Sequence, residues 1–175
     1  MIPKIKSKKF KFILRKFRKG DEKSLSKNIN DKEISKYTTR IPHPYRLKDA
    51  KKWIAHSIKE HNKKKLREIN FVIDINEDVA GSISLMNIES HKAEIGYWLA
   101  KKYWNKGIMT EAVKLVANFG FSKLKLNRIY APVFSFNKKS ARVLEKNKFA
   151  FEGLMKKFHN KDEKLYDALL FAKVK

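Results

Sequence analysis

The chain contains no cysteine, which removes disulfides, thiolate metal sites and cysteine nucleophiles together. Glycine and proline are sparse, six and four among 175 residues. No Pro/Gly/Ser-rich stretch reads as a linker and no segment repeats, so one continuous domain over residues 8–175 is the simplest organisation. No apolar run approaches the roughly 18–20 residues that a membrane span needs. The basic segment Met1–Lys11 is not followed by the apolar block of a secretory leader, and the chain reads as cytoplasmic, with no membrane partner. Acidic groups are scarce as well. Asp and Glu number 18 against 42 Lys and Arg, for a formal net charge of +24.

What is present is apolar enough to fold, with 42% hydrophobic residues including 12 Phe, 6 Tyr and 3 Trp. That excludes a disordered polyelectrolyte. The positive field attracts anions and repels polycations. It points toward RNA, the ribosome or a phosphorylated cofactor, and away from polyamines and aminoglycosides. Lys outnumbers Arg by 35 to 7, however. A surface built for phosphate recognition leans on the planar arginine fork, so composition alone also accounts for the charge.

Hydrophobic periodicity sets out the elements. Residues 10–17 read as a strand. Asp21 is a candidate N-cap for a helix through Lys27, and Asn30 or Asp31 for another through Tyr37. The prolines of Ile41-Pro42-His43-Pro44-Tyr45 interrupt. Ala50, Trp53, Ile54 and Ile58 give an amphipathic helix over 47–62. Strands follow at 70–75 and 79–88 around an Asn76-Glu77-Asp78 turn, and at 91–99. A helix is expected from Asn105 to Phe121, a strand over 127–133, a helix over 137–146, and closing strands over 149–155 and 166–174. A mostly antiparallel sheet with helices on its faces is an α+β arrangement.

The informative stretch runs from Glu94-Ile95-Gly96-Tyr97-Trp98-Leu99 into Tyr103-Trp104-Asn105-Lys106-Gly107-Ile108-Met109-Thr110-Glu111-Ala112. It reads as a strand, a short loop with one glycine, and a helix start. Such a start leaves about four amides unpaired at the positive end of the helix dipole, which suits a diphosphate. On spacing alone it is equally a plain connection. Other chemistry finds no support. The five histidines lack zinc-ligand spacing, Ser140 lacks a nucleophile elbow, and no Walker loop or dinucleotide fingerprint occurs.

This stretch resembles the acetyl-CoA loop of the GCN5-related N-acetyltransferases (GNAT), in particular the ribosomal-protein-alanine N-acetyltransferase group. Further matches are Leu126-Asn127-Arg128-Ile129, the run from Asn137 to Lys146, and Phe149 with Phe151-Glu152-Gly153. Asp49-Ala50, Trp53-Ile54 and Phe71-Val72-Ile73 match upstream. The resemblance covers about residues 10–174, in order.

It implies a GNAT fold with a mixed sheet of six to seven strands whose middle pair splays apart, and helices on both faces. It implies acetyl-CoA as cosubstrate, no metal, and a primary amine as acceptor, most naturally a protein N-terminus. Backbone groups of Trp98 and Leu99 are then expected to pair with pantetheine. The run Trp104, Asn105, Lys106, Gly107, Ile108, Met109 and Thr110 is expected to hold the diphosphate, and Asn137 and Ser140 to contact the cofactor arm. Glu94, sharing a strand face with Gly96 and Trp98, is the candidate base, or else a surface glutamate. Ser140 donates to the departing sulfur or only caps its helix. An amide near Leu99 serves as oxyanion donor.

The sequence departs from the family pattern at four points. Asn105 replaces a glycine and Met109 a small residue, both of which crowd a phosphate loop. Lys148 stands where a left-handed glycine is usual, with Asn147 expected to supply that conformation. Leu144 occupies the place of a general-acid tyrosine. These departures leave two rivals, a nonenzymatic basic module for RNA or a protein partner and a small-molecule amine acetyltransferase. The molecule is expected to be a monomer or homodimer.

Overall fold

The computed structural model describes residues 2–175. Strands β1 (Ile5–Lys6) and β2 (Ile13–Lys16) open the chain, followed by helices α1 (Glu22–Ile29), α2 (Lys32–Lys36) and α3 (Leu47–His61). Three antiparallel strands follow, β3 (Ile69–Ile75), β4 (Asp78–Met86) and β5 (Lys92–Leu99). A 3-10 turn at Lys101–Tyr103 leads into α4 (Ile108–Ser122). Strand β6 (Arg128–Phe134), helix α5 (Lys138–Lys146) and the hairpin β7 (Ala150–Lys161) with β8 (Lys164–Val174) complete the fold. Among the described residues, eight strands lie in the order β1-β2-β3-β4-β5-β6-β8-β7, and only β5 and β6 run parallel.

The sheet has helices on both faces because it has two apolar sides. On one, α4 lays Ala112, Val113, Val116 and Ala117 against Ile69, Ile83, Leu85 and Ile95. Leu144 of α5 joins that cluster. On the other, Leu25 and Ile29 of α1, Ile34 of α2, and Ala50 and Ile54 of α3 pack with Val72, Val79 and Trp98. Alternation along β5 decides which side chain meets which cluster: Ile95 and Leu99 face α4, and Trp98 faces α1–α3.

The α+β class and the mixed sheet agree with expectation, with eight strands rather than six or seven. The added strand is β1, two residues long and too short for a periodic signal. The first long strand is shorter than expected, because Phe10 lies in the β1–β2 connection. Helix α4 begins at Ile108, three residues after Asn105, because Gly107 takes a left-handed φ of 78° and ends the loop there. Asp21 precedes α1 but makes no side-chain cap. Its carboxylate is committed to Arg15, which donates to Asp21 at 2.8 and 2.9 Å and to Asp74 at 2.5 Å, all three residues being buried. His61 is half-buried and accepts the Asn70 amide at 3.1 Å. Strand β7 runs to Lys161, six residues beyond its expected end at Met155.

Candidate active site

The centre of the sheet is open. Strands β5 and β6 pair only at Lys92–Arg128, Ala93–Ile129 and Glu94–Tyr130. Beyond Glu94, β5 continues against β4 as far as Leu99, and β6 continues against β8 as far as Phe134. The sequence supplies a reason for the parting. Lys175 donates to Asn127, which fixes the ladder so that odd residues of β6 bond to β8 and even ones face β5. The next even residue after Tyr130 is Pro132, which has no amide to offer β5.

The same alternation shows which groups line the gap. Ala100 donates to Ala80 at 2.8 Å, which directs the peptide groups of Trp98 and Gly96 toward β4. Those of Tyr97 and the amide of Leu99 therefore face the gap. The Leu99 carbonyl accepts the Trp104 indole at 2.7 Å. Of the expected pair, Leu99 thus offers an amide into the gap, and Tyr97 rather than Trp98 is its neighbour there.

At the end of β5 the chain turns into α4. Trp104 spends its amide on Lys101 at 3.0 Å and its indole on Leu99, so it braces the loop from within. Lys139 lies 4.5 Å over its ring. The first intrahelical bond is Glu111 to Gly107. The amides of Ile108, Met109 and Thr110 consequently have no helical acceptor, at the positive end of a 15-residue helix. Asn105, Lys106 and Gly107 are exposed beside them.

Helix α5 brings its own start to the same end of the sheet. Asn137 caps it, its side chain accepting the Ser140 amide at 3.1 Å. The Ser140 hydroxyl donates to the Tyr97 hydroxyl at 2.7 Å, and Tyr97 donates to the Ser140 carbonyl at 3.2 Å. Burial pushes the Tyr97 phenol well above its ordinary value, so it stays protonated. Glu94 stands at the fork where the strands part. Burial raises its carboxyl pKa, against lowering effects from an Asn87 hydrogen bond of 3.1 Å and the charge of Arg40. A half-buried carboxylate with a raised pKa is suited to accepting a proton near neutral pH.

An open strand pair beside a helix start with free amides is also what comparison with known proteins finds. A family model described as the acetyltransferase (GNAT) domain matches residues 11–150. The chain belongs to the GNAT acetyltransferase family. An uncharacterized N-acetyltransferase, p20 of Bacillus licheniformis, is 28% identical over 167 residues, 94% of this chain and 93% of that protein. The ribosomal-protein-S5-alanine acetyltransferase of Vibrio fischeri superposes with a TM-score of 0.86 at 24% identity, covering 99% and 97% of the two chains. The microcin C7 self-immunity acetyltransferase MccE, solved with acetyl-CoA and AMP, superposes with a TM-score of 0.84 at 24% identity over 94% and 93%. The chain is an acetyl-CoA-dependent N-acetyltransferase. Among the described residues no group of three or more metal-ligating side chains occurs.

Each departure from the GNAT pattern has a local solution. Asn105 adopts a left-handed φ of 60°, which asparagine tolerates better than most residues. Met109 is 7% exposed and packs in the α4 cluster rather than toward the loop. Lys148 itself takes the left-handed conformation at φ 62°, while Asn147, expected to supply it, stays right-handed at −94°. Asn147 instead ties the two helices, donating to Thr110 at 3.0 Å and Val143 at 2.9 Å. Leu144 is fully buried. The hydroxyl beside Ser140 comes from Tyr97, which sequence spacing does not reveal because 43 residues separate the two. His159 also went unrecognised. It lies over Phe134 with centroids 4.5 Å apart and bonds to the Pro132 carbonyl at 3.2 Å.

Proposed function

We propose that this acetyltransferase acts on a protein N-terminal amine; the name of the Vibrio fischeri neighbour gives an alanine of a ribosomal protein as that enzyme's acceptor. The observation that carries the reading is Glu94, half-buried, with its pKa raised, at the fork of two parted strands. When bound, acetyl-CoA supplies the activated thioester. The amides of Ile108, Met109 and Thr110 grip the diphosphate, with Asn105, Lys106 and Gly107 shaping the approach. Tyr97 and Leu99 pair with the pantetheine arm through their backbone groups, and Trp98 keeps β5 docked on β4.

The incoming amine must be neutral before it attacks. Glu94 accepts its proton, directly or through one water, and the half-buried setting keeps that transfer favourable near neutral pH. A gap-facing amide of β5 donates to the carbonyl oxygen on which negative charge develops. Ser140 turns its hydroxyl from Tyr97 toward the departing sulfur, and Tyr97 holds Ser140 in place. Asn137 fixes the turn from which Ser140 projects. The positive surface favours an acceptor that sits among anionic RNA, as a ribosomal protein does.

Incubation with acetyl-CoA and a panel of peptides with free N-termini tests this, with products mapped by tandem mass spectrometry. The expected product carries one acetyl group on the α-amine. Acetylation confined to lysine side chains or to polyamines would overturn the N-terminal assignment.

A further inference from the structure

A second compartment lies on the α2 side of the sheet. A cleft of about 540 Å³ lies between α2 and the β7–β8 hairpin. Its walls are aromatic. The Phe136 ring packs against Tyr37 at 6.0 Å and Tyr166 at 5.8 Å between centroids, yet it remains 38% exposed. Its charge is nearly all of one sign: three lysines line it, Lys36 and Lys161 among them, against the single carboxylate of Asp162. Lys161 is held in place by the Thr38 carbonyl at 2.9 Å and the Ser35 hydroxyl at 3.4 Å, neither of which neutralises it. The ion pairs found among the described residues involve other cations.

The α2 wall of the cleft and Glu94 lie on the same face of the sheet. Helix α2 packs on the sheet face that also buries Trp98, and Glu94 shares the Trp98 side of β5. An ion pair from Lys101 to Glu33 anchors α2 to the chain leaving β5. The segment after α2 continues past Glu94, where the charge of Arg40 is felt, and returns its His43 to the cleft lining.

We propose that this cleft selects acceptors carrying an acidic side chain a short way behind the amine presented to Glu94. The inference rests on the reading that the acceptor is a protein N-terminus. Lys161, half-buried beside the aromatic walls, makes a stronger charge–charge contact than a fully solvated ammonium, and the exposed Lys36 adds to the local positive field. A fixed ammonium such as that of Lys161 loses little freedom when the anion arrives. The same lysines repel basic chains, so discrimination comes from rejection as well as attraction. A polyamine satisfies Glu94 at one end but meets uncompensated cations at the other.

The test compares two peptides that begin identically and carry either glutamate or lysine at the second and third positions, at 150 mM salt. The acidic peptide is expected to show a kcat/KM about tenfold higher, the scale of one partly desolvated charge pair. Lys36→Glu with Lys161→Glu inverts the preference. Lys114→Glu with Lys123→Glu, exposed on α4 and at its C-terminal cap across the sheet, leaves it unchanged. Equal use of both peptides, or an equal shift from this control pair, overturns the proposal. Fluorescence anisotropy of the labelled, already N-acetylated acidic peptide reads the cleft without turnover. Its affinity falls about tenfold in the Lys36 and Lys161 variant only. If neither peptide is acetylated, the N-terminal reading fails, while unchanged anisotropy in that variant would refute the cleft separately.

Discussion

Gly81 on β4 offers a stringent test of how the gap is held open. A methyl group placed there would lie 2.5 Å from the Trp98 carbonyl oxygen, 3.0 Å from Leu99 Cδ1 and 3.1 Å from Leu99 Cα. Two of those three atoms are backbone, so no rotamer relieves the clash. Reaching ordinary contact near 3.4 Å requires β5 to move by about 0.9 Å from the closest atom, toward the gap. Overpacking of this kind costs about 1–3 kcal/mol. For a chain of this size each kcal/mol lowers Tm by about 2–4 °C, giving a fall of about 2–12 °C for Gly81→Ala. The shift also moves the Leu99 amide relative to its target, and a misplacement near 1 Å costs about 100-fold in rate. Gly96→Ala is the steric control. Its methyl would meet only Met86 Cε at 2.7 Å, the end of a flexible side chain. Thermal melts by circular dichroism, with steady-state turnover of acetyl-CoA, measure both effects. A Gly81→Ala protein with wild-type Tm and wild-type turnover would refute the packing argument.

Replacing Glu94 by Gln is expected to lower kcat by about 100-fold with little change in coenzyme A affinity. In the wild type, activity falls as pH drops through the raised Glu94 pKa, because a protonated carboxyl cannot accept the amine proton. The pH–rate profile of Glu94→Gln should lack that acid limb. The stability effect has the opposite sign: the fold favours the protonated form, so ionising Glu94 costs stability above its folded pKa, and Glu94→Gln melts no lower than wild type at pH 7. Tyr97→Phe should reduce kcat while leaving the KM for acetyl-CoA near wild type, and Ser140→Ala should make it insensitive to Tyr97→Phe. Additive losses in the double variant would separate the two hydroxyls. Arg15→Ala strands Asp21 and Asp74 as buried carboxylates, at a cost of about 3–5 kcal/mol in chemical denaturation.

Much of this architecture was legible because periodicity reports burial. The α3 pattern of Ala50, Trp53, Ile54 and Ile58 marks an element that is helical over Leu47–His61. The Asn76-Glu77-Asp78 signal lies at a real hairpin, where Asn76 and Glu77 both take positive φ. Errors arose where a residue had two possible partners. Asp21 has the chemistry of a cap, but a buried Arg15 claims it first. Asn105 looks like a helix start until Gly107 provides the left-handed break. In the site, motifs in sequence order located the gap, the α4 start and Glu94. The Tyr97–Ser140 contact, the aromatic cleft at Phe136 and the His159–Pro132 bond depend on strands that meet only in the folded sheet. Pro132 was visible as a residue, but its role in parting β5 from β6 follows only from knowing which way the β6 amides point.

A crystal structure of the protein with acetyl-CoA tests the central claim most directly. Pantetheine is expected between β5 and β6 along Tyr97 and Leu99, with the diphosphate against the amides of Ile108 to Thr110. The acetyl group should open toward the Glu94 side. Coenzyme bound elsewhere, or strands β5 and β6 zipped together beyond Glu94 and Tyr130, would contradict it.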